Sequence, residues 1–234
     1  MFLIVSTGMH CNANTTMSLI QRLRRRLFRP RDAIEGYESE ELVDAIFRKT
    51  IAYEGEITWP LVSDLRTVLD FGGGAGVHYK TARQQSADVI WAVVETPAMV
   101  RRANELATDK LKFFDRIEEA ADWLGKVDLV HSNGAIQYVP EPTKTIQRLC
   151  AVGATKMAWF RVPIADEPRR EVQTSYLSDN GPGVLLASKE KLVRYERNWI
   201  SERAFVEAHV GYKLAKRSPD PDEHETKQFM FEIH

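Results

Sequence analysis

The chain has 234 residues, of which 44% are hydrophobic and 28% charged, a balance typical of soluble globular proteins. Its 13 glycines, 10 prolines and 2 cysteines exclude a collagen-like chain and a disulfide scaffold, and a formal charge of -1 gives no basic field for nucleic acid. The length suits one α/β domain. The sequence contains no apolar run of about 18 residues, so we expect no membrane-spanning helix. Two distant cysteines fit a thiol-reducing compartment, so we expect a cytoplasmic protein.

The N-terminal stretch is strongly basic. Residues 1–31 contain no Asp or Glu, and six arginines lie between Arg22 and Arg31. Apolar residues recur at helical spacing here, which predicts a short basic amphipathic helix ending at Pro30. Such a stretch is typical of an unanchored terminus, of a contact with an anionic membrane surface or substrate, or of an organellar presequence. The residues leave these three open, and we treat 1–33 as a basic N-terminal tail.

The rest of the chain, residues 34–234, alternates between predicted helices and strands. Residues 36–54 predict a helix with Ser39 as its N-cap. The strands predicted after it are Thr67–Phe71, Val89–Glu95, Leu111–Phe114, Val127–Ser132 and Lys156–Val162. The helices predicted between them are Val77–Ser86, Ala98–Thr108, Ile117–Leu124 and Thr143–Cys150.

This alternation predicts the fold class. The strands are near-continuous apolar runs, as expected for a parallel sheet buried on both faces. Strand and helix repeat at a spacing that favours a Rossmann-like, doubly wound, mostly parallel α/β sheet. A helix over 201–210 and strands over 211–218 and 229–234 predict an antiparallel C-terminal edge hairpin. Residues 163–199 carry turn signals and are predicted to form a lid or cap insertion.

A glycine cluster follows the first strand of the alternation. Residues 70–76 read Asp-Phe-Gly-Gly-Gly-Ala-Gly, a loop in which the backbone can approach a ligand closely. A dinucleotide fingerprint requires Gly or Ala at its sixth position, where this chain has Val77 or Tyr79, so a nicotinamide oxidoreductase is disfavoured. Glu95 ends the next strand, 25 residues beyond Asp70, and is predicted to accept hydrogen bonds from the two ribose hydroxyls of a nucleotide.

Polar residues at the ends of later strands are further site candidates. Ser132 and Asn133 end the fourth strand and are predicted to lie near a cofactor or acceptor, because ligands bind at the carboxyl ends of such strands. Arg161 is predicted either to bind an anionic group of an acceptor or to pair with a structural acid. His78, His131 and Tyr138 are the candidate bases near the crevice. No close His spacing predicts a metal site.

The segment Asp70–Gly76 reads DxGxGxG and resembles the first motif of class I S-adenosylmethionine-dependent methyltransferases. The resemblance implies that fold and S-adenosylmethionine as cofactor. It implies that the acid and glycines surround the methionine part of the cofactor and that Asp115 faces the adenine amino group. The cofactor-binding candidates are therefore Asp70, Gly72, Gly73, Gly74, Gly76, Glu95, Asp115, Ser132 and Asn133.

A narrower resemblance covers residues 34–165. The stretches GYESEELVDAIFRKT, VLDFGGGAGVHY, WAVVETPAMV, LVHSNGAIQYVPEP and RVP are similar, in this order, to an uncharacterised methyltransferase family from bacterial surface-polysaccharide settings. It implies methyl transfer to a small molecule or glycan at a hydroxyl oxygen, with Gln137, Tyr138 and Arg161 toward the acceptor. The alternative is a non-catalytic binding or scaffold protein of the same fold. The oligomeric state is left open.

Overall fold

The computed structural model describes residues 33–54, 65–183, 190–221 and 225–234. Its strands are β1 (Ala33–Glu35), β2 (Thr67–Phe71), β3 (Ile90–Val94), β4 (Leu111–Phe114), β5 (Leu129–Asn133), β6 (Lys156–Pro163), β7 (Arg169–Tyr176), β8 (Leu192–Trp199), β9 (Tyr212–Pro219) and β10 (Thr226–Ile233). Its helices are α1 (Glu40–Ala52), α2 (Val77–Gln85), α3 (Pro97–Ala103), α4 (Ile117–Leu124), α5 (Pro142–Ala151) and α6 (Glu202–Glu207). Short 3₁₀ turns follow at Asn104–Leu106, Ile136–Tyr138 and Leu177–Asp179.

The main sheet has seven strands in the order β4-β3-β2-β5-β6-β10-β9. Strands β2 to β6 pair in parallel, and β10 is antiparallel to both β6 and β9. The predicted doubly wound α/β fold with an antiparallel edge hairpin is therefore confirmed. The chain winds from β2 outward to β4 and then returns to the other side of β2 with β5. This reversal creates a topological switch point between β2 and β5.

The apolar pattern of the strands follows from their burial on two faces. Trp91, Ala92, Val93 and Val94 of β3 are all buried, so consecutive side chains on opposite faces are both covered. One face packs around Trp91 and Val68, and the other around Trp159, Phe205 and the hairpin residues Phe229 and Phe231. Two apolar layers therefore hold the strands in register.

Two parts of the sequence reading differ from the structure. The helix predicted over 36–54 begins only at Glu40, after Ser39, which leaves Tyr37 in the connection that follows β1. Residues 163–199 contain β7 and β8, which join β1 in a separate sheet of order β1-β8-β7. We call this the cap sheet. The pattern missed it because the pairing of β1 with β8 joins segments more than 150 residues apart.

The predicted basic tail falls almost wholly outside the described residues, because it ends where the description begins at Ala33. Trp59, which follows α1 in the sequence, also lies outside the described residues. Within the described ranges, no helix combines the length and the apolar character needed to cross a bilayer.

His209 makes the stability of this fold depend on pH. Its Nδ1 lies 2.7 Å from the carbonyl oxygen of Phe205, and its ring stacks on Phe231 at 3.6 Å. Burial lowers the pKa of His209 to about 4, although the bond to Phe205 opposes the shift. Between the ordinary pKa of about 6.5 and this value, the unfolded chain binds more protons at this residue than the folded chain.

We predict that His209 alone lowers the free energy of unfolding by about 3 kcal/mol between roughly pH 7 and pH 4. The measurement is urea unfolding of wild type and His209→Phe across this range. As the pH falls, the free energy of unfolding of His209→Phe should decrease by about 3 kcal/mol less than that of the wild type. His234→Gln, at the exposed C-terminus, should show the same decrease as the wild type. Parallel pH curves for wild type and His209→Phe would contradict the assignment.

Candidate functional site

Two loops meet at the switch point of the main sheet. The first, residues 72–76, follows β2, and the second, residues 134–138, follows β5. They are in such close contact that a Cβ added to Gly72 would lie 2.1 Å from the Cβ of Ala135. The chain therefore brings the predicted glycine loop and the predicted acceptor-side residues to one place.

The glycine loop has the conformation that its composition predicts. Gly72, Gly74 and Gly76 have positive φ angles of 74°, 59° and 85°. Gly72 donates its amide to the carbonyl of Val94, and Gly76 is the N-cap of α2. The loop thus turns sharply from a buried strand into a helix whose N-terminal amides face the switch point.

Asp70 lies beneath this loop and is completely buried. Its Oδ1 lies 2.7 Å from Nδ1 of His131, and its Oδ2 lies 3.2 Å from both Nδ1 of His78 and Nε1 of Trp91. An ionised carboxylate only accepts hydrogen bonds, so both imidazoles carry their proton on Nδ1. The predicted cofactor acid is therefore enclosed by protein donors. Gly73 lies directly against this carboxylate, since an added Cβ there would lie 2.3 Å from Oδ2.

The electrostatics of this cluster keep Asp70 charged. Burial raises the pKa of Asp70, but the adjacent imidazoles and their hydrogen bonds lower it well below its usual range. Burial lowers the pKa of His131, with Asp70 opposing the shift. The sequence predicted no metal site, yet Asp70, His78 and His131 have ligand-capable atoms within 4.8 Å of one another. In this arrangement each imidazole is hydrogen-bonded through Nδ1 to a different oxygen of Asp70.

Glu95 stands beside the loop at the end of β3. Its Oε1 accepts the amide of Gly74 at 3.0 Å, and its Oε2 accepts the amide of Thr96 at 2.8 Å. Burial raises the pKa of Glu95, the two amides oppose this, and the charges of Asp70 and Glu38 raise it further. The side chain is only partly covered, so the second predicted acid remains accessible while its position is fixed by the loop.

An aromatic cluster lies beside the turn that follows β5. The rings of Tyr37, Tyr138 and Tyr195 lie with centroids 4.8 to 5.2 Å apart. The hydroxyl of Tyr138 donates to Oε1 of Gln173 at 3.3 Å, and burial raises its pKa to about 12. Tyr195 was not a candidate from sequence. The aromatic alternation of β8 was its only signal, and that became meaningful once the cap sheet placed the strand over the switch point.

Arg161 and Asn133 form one unit. Nε of Arg161 donates to Oδ1 of Asn133 at 2.7 Å. Arg161 has a φ of 51°, the only positive value for a non-glycine residue in the described part of the chain, a strained geometry that clusters at functional sites. Its carbonyl accepts from Nε2 of Gln137 at 3.4 Å. The structure thus joins three predicted site residues.

The remaining candidates are less closely joined. Ser132 Oγ and Gln137 Oε1 are buried and have no hydrogen-bond partner among the described residues. Asp115 is exposed just after β4. His78 and His131, the candidate bases, are both held by Asp70 below the loop. They therefore anchor the loop from below.

Comparison with known proteins places the chain among methyltransferases. The sequence model of a family described as a methyltransferase domain matches residues 15–173. No curated protein matches the sequence. Among solved structures, the sugar N-methyltransferase KedS8 from Streptoalloteichus sp ATCC 53650 has a TM-score of 0.50 and 15% identity, over 85% of this chain and 88% of its own.

Two other structures show a similar overall arrangement. The N-terminal domain of EvdMO1 with SAH bound has a TM-score of 0.44 and 13% identity, over 84% of this chain and 82% of its own. The mitomycin 7-O-methyltransferase MmcR has a TM-score of 0.47 and 13% identity, over 84% of this chain. This chain spans only 54% of the length of MmcR.

We predict that Gly72→Ala disrupts the junction of the two loops. An L-residue at this positive φ costs about 1–2 kcal/mol, and the new methyl group also collides with Ala135. Gly153→Ala is the matched control, because Gly153 has a φ of 72° and no described residue lies within 4 Å of an added Cβ there. Thermal unfolding should show a clearly larger loss of stability for Gly72→Ala. Equal losses would show that the contact with Ala135 is easily relieved.

Proposed function

The chain belongs to the methyltransferase-domain family and is an S-adenosylmethionine-dependent methyltransferase; on this premise, we propose that it methylates a hydroxyl group of a small molecule or glycan at the switch point. The observation that carries the cofactor site of this proposal is the hydrogen bond from the amide of Gly74 to Oε1 of Glu95. It joins the acid at the end of β3 to the glycine loop, so that both parts of a nucleotide-type site form one surface.

The residues at this surface fit the cofactor. Among the described residues, a Cβ added to Gly74 would meet only Ile46, at 3.7 Å, so this side of the loop has room for a ligand. We propose that Gly74 and Gly76 pack against the methionine part and that Glu95 accepts the ribose hydroxyls. Asp70 would support the loop from below through Gly73. Asp115, at the exposed end of β4, is proposed to meet the adenine.

S-adenosylmethionine, when bound, supplies a methyl group on a sulfonium centre that is already electrophilic. The chain then has to hold the acceptor in line and exclude water. The aromatic cluster of Tyr37, Tyr138 and Tyr195 is suited to the second task, since it forms an apolar cover between α1, the turn after β5 and the cap sheet.

Proton transfer places a further demand on the site. A base assists only when the acceptor is a neutral hydroxyl. His78 and His131 are bound to Asp70, and the pKa of Tyr138, raised by burial to about 12, keeps that hydroxyl protonated near neutral pH. We therefore propose that Tyr138, whose single proton is donated to Gln173, orients the acceptor by accepting a hydrogen bond from its hydroxyl. The proton is proposed to leave to solvent or to a group of the acceptor.

The acceptor class rests on two kinds of support. The sequence resembles a family from surface-polysaccharide settings, and KedS8, which shares the fold, is described as a sugar N-methyltransferase. A sugar acceptor is therefore the first class to test. Transfer of an isotope-labelled methyl group should be followed with paired sugars that offer either a free hydroxyl or an amine. Methylation of the amine alone would contradict the hydroxyl assignment.

We predict that Glu95→Ala weakens the binding of S-adenosylhomocysteine by about 1–3 kcal/mol, the scale of hydrogen bonds to a charged group. Isothermal titration calorimetry measures this directly. Glu207→Ala is the control, because Glu207 is exposed on α6 and pairs with Arg203. Its affinity should equal that of the wild type. Unchanged affinity in Glu95→Ala would remove Glu95 from the cofactor site.

A further inference from the structure

Arg197 lies on the covered face of the cap sheet. Side chains alternate along β8, and Val193, Tyr195 and Trp199, which share the face of Arg197, are all buried. Nε of Arg197 is itself buried and has no hydrogen-bond partner among the described residues. The permanently charged guanidinium of Arg197 therefore lies against the apolar face of the cap sheet.

Arg197 also differs from its neighbours in charge pairing. On the opposite face of the cap sheet, Arg170 lies 3.1 Å from Glu196, and Arg194 lies 3.7 Å from Glu35. Arg197 forms no such ion pair within the described ranges, even though Glu171 is its register partner on β7. Glu171 is instead 3.9 Å from Arg169. A partly buried charge without a counter-ion is unfavourable, so an anion at this position would be stabilising.

The contacts of Arg197 define a small recognition surface. Its guanidinium lies over the ring of Trp199, 4.5 Å from the centroid, a favourable cation–π contact. Its charge and that of Arg161 both act on the Tyr138 hydroxyl, where they oppose the effect of burial. Tyr138 in turn contacts Tyr37, whose hydroxyl is close enough to Glu95 to be affected by its charge. Geometry also places Arg197 beside this cluster, because Tyr195 on the same face of β8 contacts Tyr138 and the adjacent Asn198 donates to the carbonyl oxygens of Gln137 and Val139.

We propose that Arg197, stacked on Trp199 and next to Tyr138, binds an oxyanion group of the methyl acceptor, either a carboxylate or a phosphate. This inference rests on the proposed function, since it assigns the acceptor of the same site. The planar guanidinium fork matches two oxygens of such a group and would orient the acceptor relative to the methyl donor. The acceptor is accordingly an acidic molecule, such as a sugar acid or a sugar phosphate.

The experiment follows the indole N–H signals of the five tryptophans by NMR, with the protein saturated with S-adenosylhomocysteine. The Trp199 signal is identified as the one missing from Trp199→Phe. Inorganic phosphate and acetate are added in separate titrations at constant ionic strength, and a titration with sodium chloride is the reference. One or both anions should shift the Trp199 signal saturably, with a Kd of about 1 mM or weaker, and the anion that does so distinguishes phosphate from carboxylate.

Arg197→Met should weaken that anion binding about tenfold or more, while the affinity for S-adenosylhomocysteine is unchanged. Arg197→Lys keeps the charge but loses the planar guanidinium, so its affinity for the anion should lie between those of the wild type and Arg197→Met. Arg203→Met is the control, since Arg203 is exposed and pairs with Glu207. It should bind the anion as the wild type does.

The proposed subsite would be overturned if phosphate and acetate shift the Trp199 signal no more than sodium chloride does at the same ionic strength. This result comes from the wild-type protein, so it tests the proposal even if the Arg197 variants fail to fold. Equal anion binding by Arg197→Met and wild type would also overturn it. Both outcomes leave the proposed function intact as long as S-adenosylhomocysteine binds. Failure of the wild type to bind S-adenosylhomocysteine would instead contradict the proposed function itself.

Discussion

The site depends on one buried carboxylate. Asp70 has no exposed surface, and its charge is tolerated because His78, Trp91 and His131 direct N–H groups at its two oxygens. These donors come from α2, β3 and β5, so a single group ties three elements to β2. A buried carboxylate without such partners is highly unfavourable. The hydrogen bonds therefore fix how these elements sit around the switch point, and with them the floor of the glycine loop.

The two acids of the site have different tasks because their surroundings differ. Asp70 is enclosed by side-chain donors, and its pKa is lowered. Glu95 is bonded to two backbone amides and remains partly accessible, with a pKa raised first by burial. Since Gly73 lies directly on Asp70 and Gly74 donates to Glu95, the loop is held from below by one acid and from the side by the other.

The main sheet could be predicted from sequence because its signals are local. Thr67–Phe71, Leu111–Phe114 and Ile117–Leu124 match their predicted bounds, since each is an apolar run or amphipathic segment with clear ends. In the cap sheet, only β8 carries a local signal, the alternation of its apolar and aromatic residues. Residues of β7 are mostly exposed and polar, and β1 has only three residues. Their strand character comes from pairing with β8 across a long sequence separation.

The sequence by itself determined the doubly wound fold, the glycine loop and the pair Asp70 and Glu95, because periodicity and motif spacing are written in consecutive residues. Tertiary structure decided which acid is enclosed and which is accessible, since His78, Trp91 and His131 meet only after the strands pair. It also decided the surroundings of the turn after β5. Tyr37, Tyr138, Tyr195 and Arg197 come from three distant segments, and they meet only because β1 and β8 pair in the cap sheet.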